Sequence, residues 1–449
     1  MRHKLITPLL ATSLTLLTAT ACGGEGDAKG SGGTVTVTVG YQSKTINTVT
    51  AGTLLRSLGY FEQELAALGK KDGVRYEVAW QDYATGAPIT AQMTAGKIDI
   101  GSMGDFPLLI NAARGKQLNR PTHLVSVTGY NLRGGLNTVV VPPSSTAKTL
   151  ADLKGKRVST SVGSAADGTL VRALQRAGLD PAKDIRKLNQ QPAVGASALQ
   201  AGSADALSQF VAWPGLLAFQ NKVRPLYDGA ELNLATFHGV TVREDFAKKR
   251  PALLDAFLKA QLKATDHLRA HPVRAAETVA EATGLPAEVV YLYNGAAGIA
   301  TFDPALRPEL LAALKEDVPV LKSAKLVTGV DVDAFVDPAP LARASAGRPA
   351  LAPPAAKAEL WVKGESATRT YDTTAALLAD LEKTGEDKVR AAYVPDATTG
   401  TRWFADRAVW VADGKTPVAF VTAAGAAAYV AAHPGARTVD YAGARGLVR

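Results

Sequence analysis

The chain contains a single cysteine, Cys22, in 449 residues. One thiol excludes an intrachain disulfide and a thiolate metal cluster. Aromatic residues make up only 6%, and no Lys/Arg run of the kind that tracks a phosphate backbone occurs, which argues against a nucleic-acid partner. The six histidines are scattered and form no HExxH motif, since His267 and His271 stand four apart but Leu268 takes the place of the glutamate, so no metal is expected. No Ser/His/Asp order, phosphate loop or dinucleotide fingerprint stands out, and neither catalysis nor a cofactor is expected. Beyond the first residues, no stretch has the length and apolarity of a membrane-spanning helix.

What is present suits soluble, well-filled cores. Hydrophobic residues make up 47% and charged residues 20%, and the length is enough for two or three domains. The formal net charge is +9. With nucleic acid disfavoured, that excess fits an anionic surface or an anionic small ligand.

The N-terminus reads as an export signal. Arg2, His3 and Lys4 form a basic region, and Leu5 to Leu17 is mostly apolar but short for a bilayer. Ala19-Thr20-Ala21-Cys22 resembles the lipobox of bacterial lipoproteins, with Ala19 where leucine is commoner. The resemblance implies a signal peptide over residues 1–21 and acylation of the Cys22 sulfur. Residues 22–33 would be anchor and Gly/Ser-rich tether. Ordinary secretion with an incidental cysteine is the plainer alternative.

After the tether, Thr34 to Val39 alternates as a strand does. A helix is expected over Ala51 to Leu65, a strand over Tyr76 to Trp80, and a helix over Gly86 to Ala95 stopped by Gly96. Ile98 to Ile100 reads as a short strand, with a helix opening at Phe106-Pro107. Alternating strand and helix indicate an α/β lobe with a largely parallel sheet. Ala95-Gly-Lys-Ile-Asp-Ile100 is answered by Ala201-Gly-Ser-Ala-Asp-Ala206, which suggests a second lobe of similar architecture. Leu136 to Val141 and Leu234 to Val242 are placed where the chain crosses out and returns. Residues 34–135 and 243–337 then form lobe 1, and residues 136–242 form lobe 2 with the crossover strands. A Pro/Ala-rich linker over residues 338–356 precedes a small α+β domain at 357–449.

Gly59-Tyr-Phe-Glu62, Gln92 to Gly101, Asp152-Leu-Lys-Gly-Lys-Arg-Val158, and Asp205-Ala206 followed by Trp213-Pro214 resemble solute-binding proteins of the aliphatic-sulfonate, taurine and nitrate importers. Val242 to Ala247 and Asp331 to Phe335 fit the same pattern. The resemblance covers about residues 34 to 345 in order and implies a type II periplasmic-binding-protein fold, two α/β lobes joined by two crossover strands. It implies capture of a small solute by lobe closure and delivery to the transmembrane subunits of an ABC importer. A monomer held at the extracytoplasmic face by its lipid is expected.

In open α/β sheets ligands bind beyond the carboxyl ends of strands, where helix N-termini offer free amides to an anion. Four segments qualify. Gln42 and Ser43 follow the first strand, and Tyr83 and Thr85 precede a helix. Gly104 and Asp105 precede Pro107, where Asp105 reads either as a helix cap or as a ligand contact. Ser161, Gly163 and Ser164 close a strand, and Asp167 leads into a helix. Trp213 is a candidate wall for an organic tail, with a core role as its alternative. Tyr41, Tyr130 and Arg133 are weaker candidates, and His238 reads as structural.

In the last segment, Asp396-x-x-x-Gly400-x-x-Trp403, followed by Phe420 and an Ala-rich helix, is similar to the NosL family of copper-binding accessory lipoproteins. That family binds copper through soft sulfur ligands, and no Cys or Met follows Met103, so no copper site is expected. The domain is expected to be an adaptor or docking module. An envelope sensor or metal-handling adaptor working through this domain is the alternative to a solute receptor.

Overall fold

A computed structural model of the chain describes residues 33–349, 351–352 and 357–449. Cys22, the signal peptide, nearly all of the tether and part of the linker lie outside them.

The strands alternate with helices in the order the sequence suggests. They are β1 (Thr34–Tyr41), β2 (Arg75–Asp82), β3 (Ile100–Gly104), β4 (Thr122–Asn131), β5 (Asn137–Val141), β6 (Arg157–Thr160), β7 (Arg186–Asn189), β8 (Ala206–Phe210), β9 (Arg224–Asp228), β10 (Thr236–Arg243) and β11 (Thr301–Phe302). Lobe 1 is a six-stranded sheet in the order β11-β4-β10-β3-β1-β2, and lobe 2 a five-stranded sheet in the order β7-β6-β8-β5-β9. β1 runs parallel to β2 and β3, while β10 runs antiparallel between β3 and β4. β3 is buried throughout, because helices cover both faces of a sheet built this way.

Three expectations shift. Leu234 to Val242, expected as the return crossover within lobe 2, falls largely in Thr236–Arg243, a central strand of the lobe 1 sheet, so the second crossover lies at 229–235. The third strand begins at Ile100 and runs through Ser102 to Gly104, which were expected as loop. The helix expected over Ala51 to Leu65 is broken at Gly59, whose φ of 65° ends one helix (Thr53–Leu58) and starts the next (Tyr60–Asp72).

The first crossover, 132–136, is turned by one side chain. Asn131 Oδ1 accepts from the amides of Arg133, Gly134 and Gly135 at 3.0–3.1 Å, an Asx-type turn. The linker is less free than its composition suggests. Ala339–Ala344 is a helix with Pro340 and Leu341 buried, and Arg343 pairs with Asp255 at 2.9 Å.

The C-terminal domain adds two sheets. β12 (Ala358–Val362), β13 (Arg369–Tyr371), β14 (Val389–Pro395) and β15 (Arg402–Phe404) form one in the order β13-β12-β14-β15. β16 (Val409–Asp413), β17 (Thr416–Phe420) and β18 (Arg437–Val439) form the other in the order β17-β16-β18. The domain does not hang free on its linker. Trp361, Tyr393, Trp403 and Phe404 share one buried cluster with Leu207 and Leu217 of lobe 2 and with Val289 to Tyr293.

Candidate functional site

The lobes meet across a cavity of about 180 Å³. Lobe 1 contributes Gln42, Thr85, Gly86, Thr90, Gly104 and His238, and lobe 2 contributes Ser161, Gly163, Ser164, Asn189, Gln191 and Phe210. Most of these residues sit where a strand ends and the next helix begins, because strand direction brings those ends to one edge of the sheet, while Thr90 lies one turn into its helix and His238 within the antiparallel β10. Four helices start at the cavity: Gly86–Thr94, Asp105–Gln117, Ala165–Arg176 and Pro192–Gln200. The first turns of a helix leave amides without intrahelical acceptors and carry the positive end of its dipole.

Several polar side chains around this space are free to donate, whereas Ser161 Oγ donates to Gln190 O at 3.0 Å. Thr85 is the N-cap of its helix yet makes no capping bond, so its hydroxyl is free. Ser164 Oγ accepts from the Asp167 amide at 3.3 Å, which leaves the hydroxyl proton to donate. Asn189 Oδ1 accepts from the Val162 amide at 3.1 Å, turning its NH₂ outward. Gln42 gives one Nε2–H to Ser102 O at 3.1 Å and keeps the other. His238 is buried, and its Nδ1 lies 2.6 Å from Asn47 Nδ2, which also donates to Gly129 O at 3.3 Å. With Asn47 as the donor, Nδ1 is the acceptor and Nε2 carries the proton, near Gly104 at the cavity. Burial pushes the His238 pKa down to about 3, so the ring is neutral at physiological pH. Among the described residues no Lys, Arg, Asp or Glu lines the cavity.

Of the residues singled out from sequence, Gln42, Thr85, Gly104, Ser161, Gly163 and Ser164 come together here. The other five are placed elsewhere. Ser43 turns to Asp82, giving it both its amide (2.8 Å) and its hydroxyl (2.6 Å). Tyr83 donates to Gln81 Oε1 at 2.7 Å and packs on the lobe 1 core. Asp105 is the first residue of its helix, with Gly104 as N-cap, and it faces inward. Its carboxylate accepts from the Phe106 amide (2.8 Å) and the Thr236 hydroxyl (2.7 Å), and burial nevertheless raises its pKa. Asp167 accepts from the Gly163 amide at 3.0 Å and pairs with Lys187 at 2.8 Å, so it fixes the loop and leaves the cavity uncharged. Trp213 packs against the cluster shared with the C-terminal domain, and the aromatic wall is Phe210 instead. Phe210, Asn189 and Gln191 were missed. Asn189 and Phe210 end strands and Gln191 precedes Pro192, but which strand ends converge depends on sheet order. The sequence places His238 on the return crossover as a structural residue, and it lies within β10 of the lobe 1 sheet, at the cavity.

The lobes touch beyond the cavity. Phe106 of lobe 1 lies against Gly168 of lobe 2 so closely that a β-carbon at Gly168 would stand 2.0 Å from the ring. Arg172 of lobe 2 reaches Asp317 at 2.9 Å and Glu316 O at 2.5 Å. Burial, then the nearby Asp105 charge, hold the Asp317 carboxyl well above the usual range. This is a closed arrangement.

Two sheets joined by two crossovers, with helix N-termini facing a shared cavity, define the fold of the periplasmic solute-binding proteins. The alkanesulfonate-binding protein from Xanthomonas axonopodis pv. citri, solved bound to MOPS, superposes with a TM-score of 0.58 over 68% of this chain and 98% of that one, at 24% identity. Residues 70–275 match the family described as NMT1/THI5 like. A protein of Escherichia coli (strain K12) named for binding aliphatic sulfonates is 30% identical over 217 residues, 48% of this chain and 66% of that protein. The taurine-binding periplasmic protein of the same organism is 25% identical over 238 residues, 52% of this chain and 70% of that protein. Among the described residues no helix is long and apolar enough to cross a membrane.

Proposed function

We propose that the two-lobed module is the extracytoplasmic receptor of an ABC importer for a small oxyanion, with organic sulfonates as the leading class. One observation carries this reading: four helix N-termini and neutral donors converge on a cavity of about 180 Å³ that no charged side chain lines. Such a site stabilises an anion through backbone and side-chain N–H and O–H groups. With Asp105 and Asp167 both turned away, it offers no carboxylate to an ammonium. A plain alkanesulfonate therefore suits it better than taurine, and Phe210 supplies an apolar surface for the tail. The volume is below the about 300–1,000 Å³ typical of drug-sized ligands, so the solute is small. Lobe closure around it would mark the loaded form for the permease. The names of the relatives support binding rather than catalysis. Acylation at Cys22 would hold this monomer at the membrane, outside the cytoplasm. For the C-terminal domain we keep the NosL likeness as a reading of its sequence motif alone.

The test is titration calorimetry with ethanesulfonate, taurine and nitrate, after native mass spectrometry for a co-purified solute. Ethanesulfonate should bind tightest. Combining Thr85→Ala with Ser164→Ala removes two hydroxyl donors and should weaken binding by about 10–100-fold, at roughly 1.5 kcal/mol or less for each bond. The lost Ser164 cap should cost about 1 kcal/mol of stability. Unchanged affinity in the double variant would count against this cavity as the site. Separately, Cys22→Ser should abolish incorporation of a fatty-acid probe, and labelling that persists would sink the lipid anchor.

A further inference from the structure

The C-terminal domain has no part in the cavity, since none of residues 357–449 lines it. It sits instead where the two lobes are joined. Its Asp396–Trp403 loop, the motif that stands out in the sequence, is folded on Asp396, whose Oδ1 accepts from the amides of Thr398 (2.8 Å) and Thr399 (2.9 Å). Asp396 Oδ2 accepts from the Val421 amide at 2.7 Å, tying the loop to the second small sheet.

Held this way, the loop meets both crossover segments. Thr399 Oγ1 donates to Asp228 Oδ2 at 2.8 Å, where β9 gives way to the second crossover. Thr401 Oγ1 lies at the first crossover, 3.0 Å from where a β-carbon of Gly135 would stand. The same domain then holds each side. Phe404 packs on Phe219 of lobe 2 with ring centroids 5.5 Å apart. Arg390 reaches Glu277 (3.0 Å) and Glu288 (2.6 Å), and Tyr393 Oη donates to Glu288 O at 2.9 Å. The helix carrying Glu288 is fastened to lobe 1, with Asn294 Nδ2 donating to Ile46 O at 2.8 Å, and also meets lobe 2, where Tyr293 Oη accepts from the Gly215 amide at 3.0 Å.

We propose that the C-terminal domain is a hinge clamp, seated behind the crossovers on both lobes, that sets how much of the ligand-free protein is closed. The proposal rests on the reading of the first module as a receptor that works by lobe closure. Opening a cleft about a hinge brings the surfaces behind the hinge toward one another. A packed body between them resists that motion, because interiors are dense and compress little. The clamp holds the lobes near the binding-competent form, and apparent affinity scales with the fraction already there.

The experiment reads lobe separation directly, without a ligand. Cys22 is the only cysteine, so the full chain with Cys22→Ser accepts two spin labels and no others. Ala91→Cys on lobe 1 and Ser197→Cys on lobe 2 are both exposed, on helices that start at the cavity. Pulsed electron–electron double resonance should give one short distance in the parent. Thr399→Val removes a hydrogen bond to a buried carboxylate on the lobe 2 side, and Arg390→Gln releases the other side. Each should raise the ratio of open to closed molecules about tenfold. If both variants keep the parent distance distribution and a folded circular dichroism spectrum, the domain is a passive attachment and the clamp is wrong. Adding ethanesulfonate to either variant should restore the short distance. An open population that ignores ethanesulfonate would count against the receptor reading and leave the clamp standing.

Discussion

Arg402→Met should lower the stability of the protein by about 3–5 kcal/mol, the usual cost of breaking a buried ion pair from one side. The Arg402 and Glu359 side chains are 2% and 0% exposed and meet at 3.1 Å. Glu359 also accepts from Tyr291 Oη (2.6 Å) and Thr368 Oγ1 (2.7 Å). The guanidinium lies over the Tyr393 ring at 4.2 Å and the Tyr291 ring at 5.1 Å. Burial pushes the Glu359 carboxyl up, but the Arg402 charge and the tyrosine and threonine bonds outweigh it and hold the pKa below the usual range. A depressed carboxyl stabilises the fold above its unfolded pKa, and that contribution fades as pH falls through the folded value. Without Arg402 the carboxyl keeps its Tyr291 and Thr368 bonds but loses the neighbouring charge, so its pKa rises relative to the parent. The deficit of the variant should therefore shrink as the pH drops from 7 toward 4 in urea or thermal denaturation. A deficit that stays constant with pH would mean that Glu359 is not left buried and charged. Arg402→Met with Glu359→Leu should regain most of the loss, because apolar replacement of a buried pair is often neutral.

Gly168→Ala should weaken binding of ethanesulfonate about 5–150-fold and shift the ligand-free protein from the closed toward the open form. A helical alanine is worth up to about 1 kcal/mol over glycine, so the helix itself gains. The cost falls on closure, because the new β-carbon would stand 2.0 Å from the Phe106 ring across the lobe interface. Overpacking of this kind costs about 1–3 kcal/mol, which is the stated loss of affinity. Adding Phe106→Ala makes room and should recover affinity relative to Gly168→Ala alone. Calorimetry decides it: parent-like affinity in Gly168→Ala would show that these surfaces need not meet when the ligand binds.

How much of this was legible beforehand follows from the range of each interaction. The alternation of Thr34 to Val39 and the turn glycines are local, so strands and helices could be placed within a few residues. Gly59 broke an expected helix because a Gly-Tyr pair inside an apolar pattern carries no mark of its left-handed conformation. The site was half legible. Hydroxyls and glycines at strand ends, such as Thr85, Gly163 and Ser164, follow from the rule that helices start there. The carboxylates did not follow. Asp105 and Asp167 sit in the same segments as true lining residues, and only the positions of Thr236 and Lys187 show which way they turn. Reading Leu234 to Val242 as the return crossover hid His238, since a β-rich stretch does not announce which sheet it joins.

By itself the sequence determined the two-lobed α/β architecture and the hydroxyl-rich character of the cleft segments. These rest on periodicity, turn chemistry and composition, which act over a few residues. Tertiary structure alone decided which strand ends share a cavity, that this cavity holds no charge, and that the C-terminal domain grips the crossovers. Such contacts join residues far apart in the chain, Asp228 with Thr399 and Glu359 with Tyr291. They depend on strand order and on the fit of packed surfaces, and neither is written in any local pattern.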